Sequence, residues 1–324
     1  MRKPLFFISL LVFAVVLFCI DILFSGDALG LRGILDPTTT EHLLFMQLRL
    51  PRAITALLAG MALSVSGLQM QTLFQNPLAG PYVLGISSGA SFGVALLMVC
   101  STLIGVHISA ATTCLTAFLG ALAVMILVLT IAKKIKESVT LLIVGMMISS
   151  IVSALVNLLQ YFTNPDDVRM FLVWTMGSLS TVGWRELSIL APTIIIGIFF
   201  SVLMLKPLNG MLLGTEGAVA LGIDIRKVRF IVILATCLLA GGITAFCGPI
   251  AFVGIAVPHI ARGLLQTSDH KQLLPATMLI GCCLMLLCDT LANMFEYSLP
   301  ISTLTALFGA PIVIFVLISQ KNHN

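Results

Sequence analysis

The sequence predicts an all-α polytopic membrane protein of about ten transmembrane helices, and three observations carry that prediction. Hydrophobic residues make up 59% of the chain, charged residues only 9%, and mean hydropathy is +1.14, too little polar surface to cover a soluble globule. The apolar residues form long runs, such as Leu115 to Ala132, near the roughly 20-residue length that a spanning helix needs. Those runs are apolar on every side, whereas the strands of a membrane barrel alternate apolar and polar residues. A barrel is excluded.

Taken in order, the spans are expected near residues 4–24, 50–73, 83–104, 108–132, 139–162, 186–205, 228–247, 250–267, 272–292 and 302–319. Arg2-Lys3 ahead of an apolar stretch could be read as a secretory signal, but the run from Leu5 to about Leu23 exceeds a signal core. The first helix is therefore expected to stay. Val168 to Leu179 is too short to span, and after the turn Asn164-Pro165-Asp166-Asp167 it reads as a surface or re-entrant helix. Gly85, Gly89 and Gly93, four apart, form a small-residue stripe for close helix packing. All eight cysteines sit in apolar runs with no CxxC, and read as small packing residues.

Orientation follows from Lys and Arg, which are retained on the cytoplasmic side of short loops. With the N-terminus inside, 12 of the 17 basic residues fall on the inner side: Arg2, Lys3, Lys133, Lys134, Lys136, Lys206, Arg226, Lys227, Arg229, Arg262, Lys271 and Lys321. The outer side keeps Arg32, Arg49, Arg52, Arg169 and Arg185. Both termini are then cytoplasmic. The net charge of +4 reflects this bias, and no basic tract interleaved with aromatics marks a nucleic-acid partner. The surroundings are membrane lipid.

The longest polar interruption, PLNGMLLGTEGAVALGIDIRKVR from Pro207 to Arg229, then lies inside. Thr215 is expected to cap a short helix, with Glu216 in its first turn, where the helix dipole favours negative charge, and Leu221-Gly222 as its stop. Such a helix reads either as a docking element or as an ordinary capped surface helix. The chain has no GxxxxGK[ST] phosphate loop and no Gly-Lys pair, so nucleotide chemistry would have to come from a partner.

RLPRAITALLAGMALSVSGLQMQTLFQNPLAGPYVLGISSGASFG, residues 49–93, and GPIAFVGIAVPHIARGLLQTSDHKQLLPA, starting at Gly248, together resemble the FecCD family, the permeases of binding-protein-dependent ABC importers for iron chelates, haem and cobalamin. LLGTEGAVALG, LCDTLAN and LPISTLTALFGAP extend the likeness in family order. The resemblance implies one transmembrane permease domain over residues 1–324, with a type II ABC importer fold and a cytoplasmic coupling loop at about 207–227. It implies a homodimer in a bacterial inner membrane, cytoplasmic ATPase subunits that bind the ATP, an extracytoplasmic substrate-binding protein, and no cofactor of the chain's own.

Residue by residue, the resemblance places ATPase coupling on Gly214, Thr215, Glu216, Ala218, Leu221 and Gly222. The family often carries two acidic residues where this chain has Thr215 and Glu216, which puts one salt bridge in doubt. Arg49 and Arg52, three apart on one helix face, would meet acidic residues of the binding protein, or else anchor a helix end at the headgroups. A further family arginine falls at Asn293. The inner gate would involve Asn76, Leu78 and Ser138, with Val139 in place of a hydroxyl residue, although Asn76-Pro77 is also a plain turn. Asn157 and Gln160, on one face of the fifth span, either line the pathway or bond neighbouring helices.

Two rival readings stand beside this one. An ion-coupled secondary carrier would expose charged residues at mid-membrane, and Asp289 is the clear acidic candidate within a span, near its outer end where a solvated contact explains it equally well. An intramembrane hydrolase could use GxSxG at Ser87 or Ser91, but that motif needs a preceding strand and a His base, and the nearest histidine is His107. His259 and Arg262 in PHIAR read as local structural contacts rather than catalytic groups.

Overall fold

The computed structural model describes residues 3–24, 36–105, 108–132, 134–135, 137–294 and 299–321, so Arg2, Arg32, Lys133, Lys136 and His107 lie outside the described residues. Thirteen helices account for most of these residues. The first seven are α1 (Lys3–Phe24), α2 (Thr40–Leu73), α3 (Ile86–Ile104), α4 (Ala110–Ala132), α5 (Ser138–Tyr161), the short α6 (Pro165–Thr175) and α7 (Trp184–Leu203). Then come α8 (Leu205–Met211), α9 (Gly214–Ala220), α10 (Ile225–Cys247), α11 (Val253–Leu265), α12 (His270–Asn293) and α13 (Ile301–Lys321).

The expected spans correspond to α1 to α5, α7 and α10 to α13, and eight helices among the described residues are long and apolar enough to cross a membrane. Two boundaries depart from expectation. α2 starts at Thr40, ten residues before the expected start, because Thr39 caps it by accepting from the His42 amide and a π turn at Phe45–Arg49 carries the helix on into Leu50. α11 has 13 residues, about 20 Å at 1.5 Å per residue, short of the roughly 30 Å hydrocarbon core. The chain from Gly248 to Phe252 is not helical, and Phe252 enters α11 with φ +67°.

The bundle closes around α2, whose residues from Ala53 to Leu73 are almost all buried. Small residues let backbones meet there: a Cβ on Gly60 would strike the carbonyl of Gly281 in α12, and one on Gly67 the carbonyl of Gly254 in α11. The predicted glycine stripe packs α3 on α4 through Gly89 and Gly93 against Gly120 and Thr116. Gly85 continues it from outside the helix, a Cβ there standing 3.2 Å from Val124 of α4 and 2.9 Å from the Ser149 hydroxyl of α5. It precedes α3 with φ +82°, a left-handed turn out of the 3₁₀ segment Pro81–Leu84.

Candidate functional site

Three regions hold the residues singled out from the sequence. The first is a groove of about 370 Å³ between α3, α5 and α6. Ser87, Ser88 and Ser91 of α3 and Ser149, Ser153, Asn157 and Gln160 of α5 line it, together with Thr175 of α6 and Tyr82. Seven hydroxyl or amide side chains on two spans thus gather on one side of a chain that is otherwise apolar. Asn157 is exposed in the single chain, so it is not used to bond a neighbouring helix of its own subunit. Ser87 and Ser91 stand on or beside helix rather than after a strand, and no histidine lines the groove with them. A hydrolase geometry is absent there.

The second region is at the end of α2 that leads into the turn at Asn76. The side-chain oxygen of Asn76 accepts from the Leu78 amide at 2.9 Å, closing the turn between α2 and the 3₁₀ segment. His259 of α11 bonds the Pro77 carbonyl at 2.9 Å, and Arg262 donates to Gln71 at 2.5 Å. PHIAR therefore holds the turn rather than doing chemistry. A cavity of about 560 Å³ is lined by Asn76 and Pro77 on one side and by Met211 to Gly214 on the other, so the turn and the polar loop meet. Ser138 is not brought to this cavity; it accepts from Arg229, whose other guanidinium nitrogen donates to the Ile135 carbonyl at 2.6 Å.

The polar loop forms α9, with one correction. Thr215 does not cap it: the helix begins a residue earlier, at Gly214, Leu213 holds the cap position and provides no side-chain bond, and Thr215 lies inside the first turn. The turn bonds from Leu212 and Leu213 back to α8, followed by Gly214 at φ +84°, set that start. Glu216 is in the first turn as expected. The stop is a Schellman motif, in which Ile223 N–H reaches the Ala218 carbonyl, Gly222 N–H reaches that of Val219, and Gly222 takes φ +76°. Ala218 is fully buried beneath the helix, whereas Leu212, Leu213, Val219 and Leu221 are 47%, 69%, 59% and 62% exposed.

A polar chain, buried at Thr72 and His270 and half-buried at Asn209 and Asp269, escaped the sequence reading. Asn209 of α8 accepts from the His270 amide at 2.8 Å and from its ring Nδ1 at 2.7 Å, while His270 Nε2 meets the Thr72 hydroxyl at 2.8 Å. The Asn209 amide donates to Asp269 at 2.6 Å. Bonds from the Lys271 amide and the Asn209 side chain hold the Asp269 carboxyl below the usual carboxylate range. The partners lie 60 to 198 positions apart, so no local spacing signals the chain.

The third region, toward the opposite end of α2, corrects the reading of Asp289. It is fully buried rather than solvated, and Arg52 donates to its Oδ1 through Nε at 3.0 Å and Nη2 at 2.8 Å. Arg49 donates to the carbonyls of Ile22 and Leu23 in the last turn of α1, where an arginine also opposes the helix dipole. Asn293 donates to the Asp289 backbone carbonyl at 2.7 Å. Asp289 is moreover not the sole carboxylate within a span: Asp21 of α1 is 2% exposed and accepts from Thr290 at 2.9 Å. It went unread because it stands three residues before the end of its helix, where hydropathy alone assigns an acid to the interface. Replacing Arg52 by Ala should lower stability by about 3 kcal/mol, since a buried carboxylate loses its partner. Thermal unfolding of the purified protein measures this.

Against known proteins, the family model described as the FecCD transport family matches residues 6–319. The hemin transport system permease protein HmuU of Yersinia pestis is 34% identical over 91% of this chain and 90% of its own length. The vitamin B12 import system permease protein BtuC of Klebsiella pneumoniae is 35% identical over 87% of this chain and 84% of its own. A solved structure of an inward-facing transporter assigned to the metal-chelate ABC type superposes with a TM-score of 0.87 at 32% identity, covering 98% of this chain and 99% of that one.

Proposed function

The chain belongs to the FecCD transport family, as the non-catalytic permease subunit of an ABC importer that works with an ATPase and a binding protein, and from that premise we propose its cargo and its working parts. Its cargo is a large metal chelate, an iron siderophore, haem or cobalamin, in keeping with the hemin, vitamin B12 and metal-chelate relatives. The observation that carries the pathway is the polar groove between α3, α5 and α6. Its serines, Asn157 and Gln160 can hydrogen-bond a bulky chelate without a fixed charge to trap it. A twofold homodimer would set two such grooves face to face around one central path. Membership in this family displaces the ion-coupled carrier and the hydrolase.

Coupling falls to α9, with Gly214, Thr215, Glu216, Leu221 and Gly222 toward the ATPase and Ala218 anchoring the helix from below. The gate is the Asn76 to Leu78 turn, which shares a cavity with the start of α9, and Ser138 acts separately through Arg229. Arg49 and the partly exposed edge of Arg52 remain the candidates for meeting the binding protein, although both also serve inside the subunit. Asn293 turns back on its own helix instead of offering a third cation.

The test is ATP-driven uptake by vesicles containing the permease, its ATPase and its binding protein. Haem, cobalamin or a ferric siderophore should accumulate, and failure of all three would overturn the assignment of cargo. With both termini inside a bacterial inner membrane, a membrane-impermeant thiol reagent applied outside should label Asp166→Cys and spare Lys134→Cys. The reverse pattern would invert the topology.

A further inference from the structure

Asp21 and Asp289 stand within hydrogen-bonding reach of each other, and the hydrogens around them do not add up. Both nitrogens of Arg52 go to Oδ1 of Asp289, and Oδ2, buried with it, receives no N–H or O–H among the described residues. The Thr290 hydroxyl has a single hydrogen but two acceptors, the Leu286 carbonyl and Asp21 Oδ1, each at 2.9 Å. When that hydrogen serves the helix carbonyl, oxygen faces oxygen at Asp21. Among the described residues the bonded charges are also unequal, with two buried carboxylates and the one guanidinium of Arg52.

We propose that Asp21 and Asp289 hold one proton between them, so that Arg52, Asp289 and Asp21 form a neutral proton-binding site fastening α1 to α2 and α12. A proton on Asp21 supplies the donor that Asp289 Oδ2 lacks, and removes the surplus negative charge from a place where water cannot compensate it. Nearby, Arg49 of α2 donates to the α1 carbonyls of Ile22 and Leu23, and Asn293 of α12 bonds a backbone oxygen. The site lies apart from the transport groove, and its ligand is the proton itself.

The two carboxyls then have unequal tolerance. Asp21→Asn keeps a neutral donor of the same shape and should leave yield, thermal stability and uptake near wild type, whereas Asp289→Asn strands Arg52 and should lower all three. Infrared spectroscopy of the full-length protein in lipid near neutral pH reads the proton directly, as the carbonyl stretch of a protonated carboxylic acid that moves in D₂O. Wild type should show this band and Asp21→Asn should lose it. Absence of the band from wild type, or its persistence in Asp21→Asn, would overturn the proposal. If Asp21→Asn does not fold, Thr290→Val serves instead: the band should shift as Asp21 loses a partner, and an unmoved band would count against it.

Discussion

Leu221→Asp should abolish substrate uptake while leaving a correctly inserted permease, with ATP hydrolysis either continuing without transport or lost as the ATPase detaches. Leu221 is 62% exposed at the end of α9, in a patch with Leu212, Leu213 and Val219. Apolar side chains gathered this way on a short polar-loop helix are suited to burial against a partner. An aspartate in that contact would be an unpaired buried charge, which costs several kcal/mol and exceeds what one helix end can recover. Force can pass through α9 because its end is fixed by the two bonds of the Schellman motif and its base by Ala218. Gly222→Val should act in the same direction, since a β-branched residue at φ +76° is strained by about 2 kcal/mol or more even though nothing lies within 4 Å of its Cβ. Measuring hydrolysis and uptake together in lipid decides the matter, and normal uptake by Leu221→Asp would remove α9 from the coupling role.

Gly281→Leu should prevent stable folding. A Cβ there would meet the Gly60 carbonyl and stand 2.6 Å from the Ser64 hydroxyl oxygen, and in the opposite direction a Cβ on Gly60 would lie 2.7 Å from the Cys282 nitrogen. The neighbours are mostly main chain, which cannot rotate away, so α2 and α12 would have to separate along the most buried helix of the bundle. Overpacking typically costs 1–3 kcal/mol where side chains yield, and the upper end or beyond applies here. Gly263→Ala is the control. It meets nothing within 4 Å, and a helical alanine should gain up to about 1 kcal/mol. Thermal unfolding of both variants in detergent tests the pair, and a Gly281→Leu protein as stable as wild type would show that the helices do not touch there.

Much of the site was legible where it depends on local sequence. Glu216 and Gly222 sit at the two ends of α9 because dipole and left-handed turn preferences are written in neighbouring residues. Asn157 and Gln160 share a groove because three positions on a helix share a face. The cap was misplaced by two positions, at Thr215 instead of Leu213, since the turn out of α8, and not the presence of a hydroxyl residue, decides where α9 begins. The inward roles of Arg49 and Arg52 were illegible: an arginine at a helix end looks the same whether it faces a partner, the headgroups or a carbonyl of another helix.

By itself the sequence determined the all-helical membrane class, nearly all of the spans and the order of motifs that mark the family, because hydropathy and motif spacing are properties of contiguous residues. Only the tertiary structure decided how the buried polar groups are satisfied. Arg52 finds Asp289 across 237 positions, Thr290 reaches Asp21 across 269, and His270 meets Thr72 across 198. The physical reason is that a low-dielectric interior obliges every polar group to find a partner without specifying which. The choice falls to whichever helix the glycine contacts bring alongside, and Gly60 against Gly281 sets α12, with its Asp289, beside α2 and Arg52.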